Sequence, residues 1–372
     1  MSSHISSRAD QATYASYTVD AINTLQTWYN SETGLWDTTG WWNSANCLTV
    51  LADFAAIDPA ASDTLNIPEV IQNTYEQAQK TPVQATKVLS TGGLPISTYT
   101  RLSKREIEKR GFDNFLNDYY DDEGWWALAL IHSYDLGVLG LGDQQYLQAA
   151  IDIFEDMKGG ASPCGGIYWS KVTPYTNAIA NELFLSVAAS LANRVPDRKD
   201  YFLDIAQTQW NWFNSSGLIN GDNLINDGLT DDCKNNGMQT WTYNQGVILG
   251  GLVELSRANG DQSLLNKAQT IASAAITKLS KDGILFEGCE PNCGSDGSQF
   301  KGIFMRNLHY LQKAAPMDPI KNFLLTNADT IWAKNRNDQN QLGGTWAGPY
   351  TNATAGTQSS AMDVLVAAAA VA

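Results

Sequence analysis

Stretches that are apolar on nearly every side alternate along the chain with stretches that are apolar on one side only. Six of the fully apolar stretches are rich in alanine and other small residues, as in Val187-Ala-Ala-Ser-Leu191. A helix that is hydrophobic on all sides is a buried helix. We therefore predict six buried helices, over residues 44–56, 125–134, 177–192, 243–257, 302–313 and 358–372.

The segments between them carry a single apolar stripe. In the first, Ile22, Leu25 and Trp28 recur at helical spacing. Some begin with residues typical of helix starts, such as Asp10 as an N-cap or Pro68 in the first turn. The predicted starts of these six amphipathic helices, spaced by roughly 60 residues, are Asp10, Pro68, Asp143, Arg198, Asp261 and Asp318.

Six buried and six half-buried helices predict an inner and an outer ring, which is an all-α (α/α)6 toroid. Strand signals are nearly absent, and a glycine followed by large apolar residues recurs near each buried helix, at Gly34, Gly124, Gly166, Gly217, Gly283 and Gly344. We interpret residues 1–372 as a single domain. The alternative is two separate helical bundles, but no linker rich in Pro, Gly and Ser interrupts the pattern at mid-chain.

One stretch, residues 81–117, is longer than the other connections. It contains Gly92-Gly93, Pro95 and a charged run over residues 104–110. Charge runs usually form the solvated face of a short helix, and we predict that structure for the run. The alternative is a loop that forms the rim of a binding cleft.

Composition narrows the function classes. The chain has 24 basic and 39 acidic residues and a net charge of −15, so we expect neither nucleic acid nor a membrane surface as a partner. It has no run of about 18 or more apolar residues that would predict a transmembrane helix. Only 17% of residues are charged, whereas there are 12 tryptophans and 15 tyrosines. Few charges with many rings predict a surface that binds neutral ligands.

The five cysteines are an odd number. Cys289 and Cys293 lack the second pair or the nearby histidine that a zinc site needs, so we expect no metal. Our hypothesis is two disulfides, which leaves Cys47 as a buried thiol in an apolar helix and pairs Cys289 with Cys293 and Cys164 with Cys233.

Signals of cellular location are mixed. The segment Met1–Asp10 has no apolar signal core, which fits a cytosolic protein or a secreted protein whose signal has been removed. Sequons at Asn214 and Asn352 would be glycosylated in a secretory compartment. With the expected disulfides, these signals favour a secreted protein.

An acidic run, Asp121 to Glu123, stands at the start of the second predicted buried helix. Acidic residues there usually stabilise the helix by capping and by interaction with its dipole. Here Tyr119-Tyr120 and Trp125-Trp126 place four large rings beside the acids. Sugars stack their C–H faces on rings and hydrogen-bond to carboxylates and amides, so this combination predicts a carbohydrate cleft.

Glycoside hydrolysis needs two carboxyl groups across one glycosidic bond, one ionised and one protonated. Asp121 and Asp122 meet this need if their backbone is extended, because neighbouring side chains then point to opposite sides and stand about 5 to 8 Å apart. The residues alone leave open which acid does which task. The interpretation requires both carboxylates to face the central hollow and neither to be held in a buried ion pair.

Two segments carry a family resemblance, Tyr120-Asp-Asp-Glu-Gly-Trp-Trp-Ala-Leu-Ala129 and Trp241-Thr-Tyr-Asn-Gln-Gly-Val-Ile-Leu-Gly-Gly251. They resemble glycoside hydrolase family 76, the endo-α-1,6-mannanases. Phe115–Asp118, Gly165–Trp169 and Gly344–Trp346 extend the resemblance over essentially the whole chain. It implies an (α/α)6 barrel that cleaves α-1,6-mannan with retention of configuration and uses no metal or other cofactor.

By motif, the resemblance implies that Asp121 is the nucleophile and Asp122 the general acid/base. It also implies that Asp227, Tyr243 and Asn244 line the subsite of the reacting mannose. Each tryptophan near the predicted mouth could equally be a wedge between helices or a surface on which a sugar stacks. The further candidates for substrate contact are Trp42, Asn43, Tyr120, Trp125, Trp126 and Trp169.

Fungal members of the family have cysteine-bearing segments like those around Cys164 and Cys289. The resemblance therefore implies a fungal glycoprotein that is secreted or associated with the cell wall. The expected partner is α-1,6-linked mannan or a mannooligosaccharide, and we expect a monomer.

Three alternative functions stay open. Fungal relatives include cell-wall transglycosylases that act on mannose-containing GPI glycans. Sugar epimerases use the same kind of ring with paired histidines, and His132 and His309 both fall in predicted buried helices. The third alternative is a toroid that binds mannan without cutting it.

Overall fold

The computed structural model describes residues 8–103, 105–106, 114–137 and 143–372. The helix predicted for the charged run 104–110 therefore lies almost wholly outside the described residues. The secondary structure runs α1 (Gln11–Gln26), β1 (Tyr29–Asn30), β2 (Leu35–Trp36), α2 (Trp41–Ile57), α3 (Pro59–Thr64), α4 (Ile67–Ala78), β3 (Val83–Leu89), β4 (Pro95–Arg101), α5 (Tyr120–Asp135), α6 (Asp143–Met157), α7 (Ala178–Arg194), α8 (Lys199–Ser215), α9 (Thr242–Asn259), α10 (Ser263–Lys278), β5 (Ser280–Lys281), β6 (Ile284–Leu285), α11 (Phe300–Ala314), α12 (Asp318–Lys334) and α13 (Ala355–Val371).

Six helices, α2, α5, α7, α9, α11 and α13, form a closed inner ring. Each packs against the next, and α13 packs against α2 to complete the circle. Small residues bring these helices close together. A Cβ atom on Gly246 of α9 would lie 2.6 Å from the Cα atom of Phe304 in α11, so glycine is required for this contact.

The remaining long helices, α1, α4, α6, α8, α10 and α12, form the outer ring. Each packs on an inner helix, and α1 packs on α13, which joins the two ends of the described chain. All six begin within about two residues of the predicted starts, and Asp10 caps α1 by accepting a hydrogen bond from Thr13 N at 2.9 Å. The predicted (α/α)6 toroid is therefore confirmed.

Two features of the fold differ from the prediction. Inner helices begin up to five residues earlier than expected, so Gly124 lies inside α5 rather than before it. Strands are also present, and those within the described residues form three two-stranded hairpins. The longest pairs β3 with β4 in the long connection 81–117, for which no strand was predicted, and Lys87 lies opposite Ser97 in its register.

The disulfides Cys164–Cys233 and Cys289–Cys293 are present as hypothesised, and Cys47 is a buried free thiol. Both bridges lie in loops that precede inner helices. Within the described ranges, no helix has the length and apolar character needed to cross a bilayer.

Candidate active site

Asp121 and Asp122 lie in the first turn of α5, which begins at Tyr120 after the extended residue Tyr119. The expectation of extended backbone at the acids is therefore wrong. Successive residues of a helix diverge by about 100°, so the two carboxyl groups point in different directions while both stay at the ring's mouth. The helix dipole favours negative charge at this position.

Both carboxylates contact one ammonium group. Lys87 Nζ lies 2.8 Å from Asp121 Oδ2 and 2.5 Å from Asp122 Oδ1, and the lysine side chain is only 3% exposed. The expectation that neither acid is in a buried ion pair is therefore wrong. Lys87 comes from β3 and not from the ring, and nothing in the helical pattern of the sequence pointed to it.

Asp122 has further donors around it. Asn117 Nδ2 donates to Asp122 Oδ2 at 2.8 Å, and the Tyr99 hydroxyl donates to the same oxygen at 3.1 Å. Burial raises the pKa of Asp122 to about 7, although the charge of Lys87 opposes that rise. Among the described residues, Asp121 Oδ1 has no hydrogen-bond partner. The two acids thus have different environments.

The third acid of the run is held differently. Glu123 Oε1 accepts hydrogen bonds from Lys171 Nζ at 2.7 Å and from the backbone of Asn117 at 2.9 Å. Burial raises the pKa of Glu123 well above its usual value, against the charge of Lys171. Glu123 therefore anchors neighbouring loops to the start of α5.

Asp227 lies near the acid pair. It accepts a hydrogen bond from the Tyr175 hydroxyl. Burial raises the pKa of Asp227 to about 6, the bond from Tyr175 lowers it, and the charge of Asp121 raises it again. Asp227, a predicted subsite residue, is therefore close enough to Asp121 for their charges to interact.

Tyr243 and Asn244, at the start of α9, occupy the same region. The ring of Tyr243 stacks on Phe300 at 3.8 Å and faces Trp125 at 6.5 Å. Asn244 is fully buried, and neither its amide nitrogen nor its amide oxygen has a partner among the described residues. A buried amide with no partner costs free energy, so it points to a ligand that would supply one.

Sequence reasoning missed Glu182 of α7. Both carboxyl oxygens are buried and lack a hydrogen-bond partner within the described part of the chain. Burial and the charge of Asp227 raise the pKa of Glu182 well above its usual value. The available signal was a lone acid inside an alanine-rich, wholly apolar helix.

Trp42 and Asn43, in the first turn of α2, lie at the part of the mouth next to α5. Trp42 Nε1 donates to Asp296 Oδ1 at 2.7 Å, and its ring stacks on Trp125 at 5.5 Å. Asn43 Nδ2 donates to Gln299 Oε1 at 2.8 Å, which ties α2 to the start of α11. Asp296 was not among the predicted site residues.

The other predicted rings lie in two settings. The ring of Trp169 is 5.5 Å from Lys87 Nζ, beside the acid pair. Trp126 is fully buried between Trp41, at 5.5 Å, and Phe115, at 4.8 Å, as a wedge in the core. Tyr120 packs on Gly160 and lies under Lys171 Nζ at 5.4 Å, on the side of Glu123 rather than that of Lys87.

The histidines of the epimerase alternative lie far from the mouth. His132 is in the last turn of α5, where its Nδ1 lies 2.8 Å from Asp53 Oδ1. His309 is a buried residue of α11. In the described part of the chain, no group of three or more His, Cys, Asp and Glu residues is arranged to hold a metal ion.

Solved structures with the same fold are α-1,6-mannanases and a fungal protein. An inactive variant of the α-1,6-mannanase of a Salegentibacter species, with two consecutive aspartates replaced by asparagine, is known with α-1,6-mannotriose. Its TM-score is 0.78 at 21% identity, over 96% of this chain and 100% of that chain. Dfg5 from Chaetomium thermophilum, in complex with glucosamine, has a TM-score of 0.77 at 17% identity, over 99% and 92%.

Curated relatives are fungal. The mannan endo-1,6-alpha-mannosidase DFG5 of Saccharomyces cerevisiae is 27% identical over 229 residues, which is 56% of this chain and 50% of the relative. The mannan endo-1,6-alpha-mannosidase DCW1 of the same yeast is 27% identical over 273 residues, which is 66% of this chain and 59% of the relative. The chain thus matches only about half the length of these relatives.

The family model described as glycosyl hydrolase family 76 matches residues 6–372, nearly the whole chain. The ring and the paired aspartates at its mouth agree with the family resemblance carried by the motifs. The chain belongs to glycosyl hydrolase family 76.

Proposed function

We propose that this chain is a retaining endo-α-1,6-mannosidase that cleaves α-1,6-mannan backbones, with Asp121 as the nucleophile and Asp122 as the general acid/base. The observation that carries the proposal is the convergence of two neighbouring carboxylates on one point. Because Asp121 Oδ2 and Asp122 Oδ1 lie 2.8 Å and 2.5 Å from the same nitrogen, their separation cannot exceed the sum of these distances. That upper limit lies below the separation of about 6.5–9.5 Å typical of inverting enzymes and is compatible with the roughly 5–5.5 Å of retaining enzymes.

The relatives support the choice of this pair. The Salegentibacter mannanase is inactive when two consecutive aspartates are asparagine. This chain has two such pairs, 121–122 and 231–232. Residues 121 and 122 are buried at the mouth of the ring, whereas residues 231 and 232 are exposed in a turn.

The first step forms a glycosyl ester. Asp121 attacks the anomeric carbon, the bond from that carbon to the 6-oxygen of the neighbouring mannose breaks, and Asp122 gives its proton to that oxygen. In the second step Asp122 takes a proton from water, whose oxygen attacks the same carbon and releases Asp121. Two inversions retain the α configuration.

The unpartnered polar atoms fit a sugar's hydroxyl groups. Glu182, Asn244 and Asp121 have buried oxygen or nitrogen atoms without partners among the described residues. Hydroxyl groups of the reacting mannose would donate to and accept from such atoms, while Tyr243 and Trp169 offer ring faces. We assign Trp42, Asn43 and Trp125 to support of this wall.

Proton NMR of the first product tests the proposal. With α-1,6-mannotetraose as substrate, the newly formed reducing end appears first as the α anomer and reaches the equilibrium mixture only later. Initial appearance of the β anomer would show inversion. Absence of any reducing end would remove hydrolysis and leave transfer or binding alone.

We also propose that the chain acts outside the cell. The bridges Cys164–Cys233 and Cys289–Cys293 persist in oxidising compartments and are rare in the cytosol. Peptide mapping under non-reducing conditions of the protein as expressed by a fungal host, together with its location in medium or wall fractions, checks this proposal. Size measurement by light scattering checks the expected monomer.

A further inference from the structure

The β3–β4 hairpin covers the acid pair with one face. Paired residues of a hairpin share a face, so Ala85 and Lys87 lie on the same side as Tyr99 and Ser97, their partners in the register. Lys87 and Tyr99 both contact the acids. The other face is turned to solvent and exposes apolar residues, with Val88 58% and Ile96 47% exposed.

The ammonium of Lys87 occupies the point where a reacting sugar must lie. It contacts both carboxylates, and the rings of Tyr119 and Trp169 approach it at 4.9 Å and 5.5 Å. The Tyr119 hydroxyl holds the backbone of Lys87 by accepting from its N–H at 3.0 Å. The transition state of glycoside hydrolysis carries positive charge at this point. Lys87 thus places a cation in the position of the charged sugar.

Polar contacts hold the hairpin over the acids. Ser97 N donates to Asp296 Oδ2 at 2.7 Å, Tyr99 donates to Asp122, and Lys87 forms the ion pairs. Apolar contact beneath the hairpin comes from Val83 and Ala85, which are 6% and 4% exposed. Among the described strands, β3 and β4 pair with each other. An isolated two-stranded hairpin is marginally stable in water, and the inner ring closes through helix contacts alone, so the hairpin can leave the mouth without breaking the ring.

In the covered state Lys87 favours the ionised form of the general acid. Lys87, Tyr99 and Asn117 all donate to or contact Asp122, which suits a carboxylate. When a sugar replaces the hairpin, Asp122 stays covered but the charge of Lys87, which lowers its pKa, is gone. Removal of the hairpin would thus admit the sugar and favour the protonated form of Asp122.

We propose that the β3–β4 hairpin is a self-inhibitory lid whose Lys87 ammonium takes the place of the reacting sugar, so that mannan binds only when the lid opens. The inference rests on the proposed function for the identity of the sugar. The lid makes the described structure a resting state, and Lys87, which closes it, also favours the ionised form of the general acid.

Chemical modification of lysines tests the lid in the unaltered protein. Reductive methylation followed by mass spectrometry compares Lys87 with Lys234, whose side chain is 77% exposed. We expect Lys87 to be protected in the free protein and modified at least about tenfold faster with saturating α-1,6-mannotriose. Modification of Lys87 at the rate of Lys234 without sugar, or continued protection with sugar bound, would overturn the proposal.

Kinetics of Lys87→Met give the second test, with Val88→Thr on the exposed face as the matched control. We expect Lys87→Met to raise kcat/KM on α-1,6-mannotriose by roughly tenfold, the factor by which a mostly closed population weakens apparent binding. We expect kcat/KM of the control Val88→Thr to equal that of the wild type. A fall of about 100-fold or more in Lys87→Met with unchanged thermal unfolding would make Lys87 part of the catalytic machinery and overturn the lid.

The methylation and kinetic experiments together distinguish failure of the lid proposal from failure of the proposed function. If neither wild type nor Lys87→Met cleaves mannan while mannotriose still exposes Lys87 to methylation, the lid stands and the hydrolase proposal falls. If cleavage occurs and Lys87 exposure does not depend on sugar, the hydrolase proposal stands and the lid falls.

Discussion

The two ends of the helical ring are both polar, but their polar groups are used differently. At the end where inner helices finish, a cavity of about 780 Å³ is lined by residues such as Asp53, His132 and Arg194. Arg194 bonds to Asp135 at 2.7 Å and 2.6 Å and to Glu254 at 2.8 Å. None of the lining residues has a buried side-chain polar atom without a partner within the described chain.

At the end where inner helices begin, Glu182, Asn244 and Asp121 keep buried polar atoms unpartnered among the described residues. Unsatisfied buried groups cost stability, so their accumulation at one end marks where a ligand supplies the missing partners. The cavity of about 780 Å³ thus lies at the end whose buried polar groups are satisfied. The comparison teaches that unmet hydrogen bonding, rather than empty space, distinguishes a binding end from a structural end.

Replacement of Asp121 should have the largest effect. Asp121→Asn removes the attacking oxygen, so we expect kcat to fall by at least about 10³-fold. The matched control is Asp231→Asn in the exposed Asp231-Asp232 turn, which should leave kcat unchanged. Initial rates on α-1,6-mannan measure kcat of both variants. An equal loss of kcat in both variants would contradict the choice of Asp121 and Asp122 as the catalytic pair.

The pH profile of kcat/KM should report Asp122. A general acid must be protonated, and burial holds the pKa of Asp122 at about 7, so we expect the rate to fall as pH rises through about 7. Lys87 opposes that rise in pKa, so the fall should move to higher pH in Lys87→Met. A profile that is flat through this range, or a shift to lower pH in the variant, would contradict the assignment.

Glu182 should show opposite effects on binding and stability. Glu182→Met keeps the length of the side chain and removes the unpartnered carboxyl group. We expect kcat/KM to fall roughly 10- to 100-fold through lost sugar contacts, while the free energy of unfolding rises by about 1 kcal/mol. Denaturant titration measures the free energy of unfolding, and kinetics on mannotriose measure kcat/KM. Unchanged kinetics with raised stability would remove Glu182 from the sugar site.

At the other end, His132 should matter for stability and not for turnover. His132→Gln breaks the pair with Asp53, and we expect a loss of about 1–3 kcal/mol in the free energy of unfolding with kcat unchanged. Loss of turnover in folded His132→Gln would favour the epimerase alternative.

The pH dependence of that loss has a definite sign. Burial lowers the pKa of His132, but the charge and hydrogen bond of Asp53, together with the charge of Asp135, raise it above 6.5. The stabilising interaction of the charged imidazole is therefore fully present below the unfolded pKa and disappears as pH rises through the raised folded pKa. The deficit of His132→Gln should be larger at about pH 5.5 than at about pH 9.

The ring could be predicted from the sequence because the apolar residues of its twelve helices follow helical spacing, all round the inner helices and on one side of the outer helices. The first turns of inner helices were missed because rings and acids such as Tyr120 and Asp121 interrupt the apolar pattern there. The β3–β4 hairpin was missed because Lys87 and Tyr99 interrupt the apolar positions of its inward face, whereas its outward face exposes Val88 and Ile96. Apolar residues therefore do not mark one face, as they do in an ordinary half-buried strand.

The contacts of the site could not be predicted from local sequence. Lys87 is 34 residues from Asp121 in sequence, and Trp42 is 254 residues from Asp296. The assignment of Asp121 and Asp122 depended on a motif, whereas Lys87, Glu182 and Asp296 belong to no motif that the sequence displayed.

A crystal structure of Asp121→Asn with α-1,6-mannotetraose would test the account most directly. We predict a mannose whose anomeric carbon lies over residue 121, with Asp122 beside the glycosidic oxygen and Lys87 withdrawn from both. Sugar bound at the cavity beside His132 and Arg194, or sugar at the mouth with no anomeric carbon near residues 121 and 122, would contradict the account.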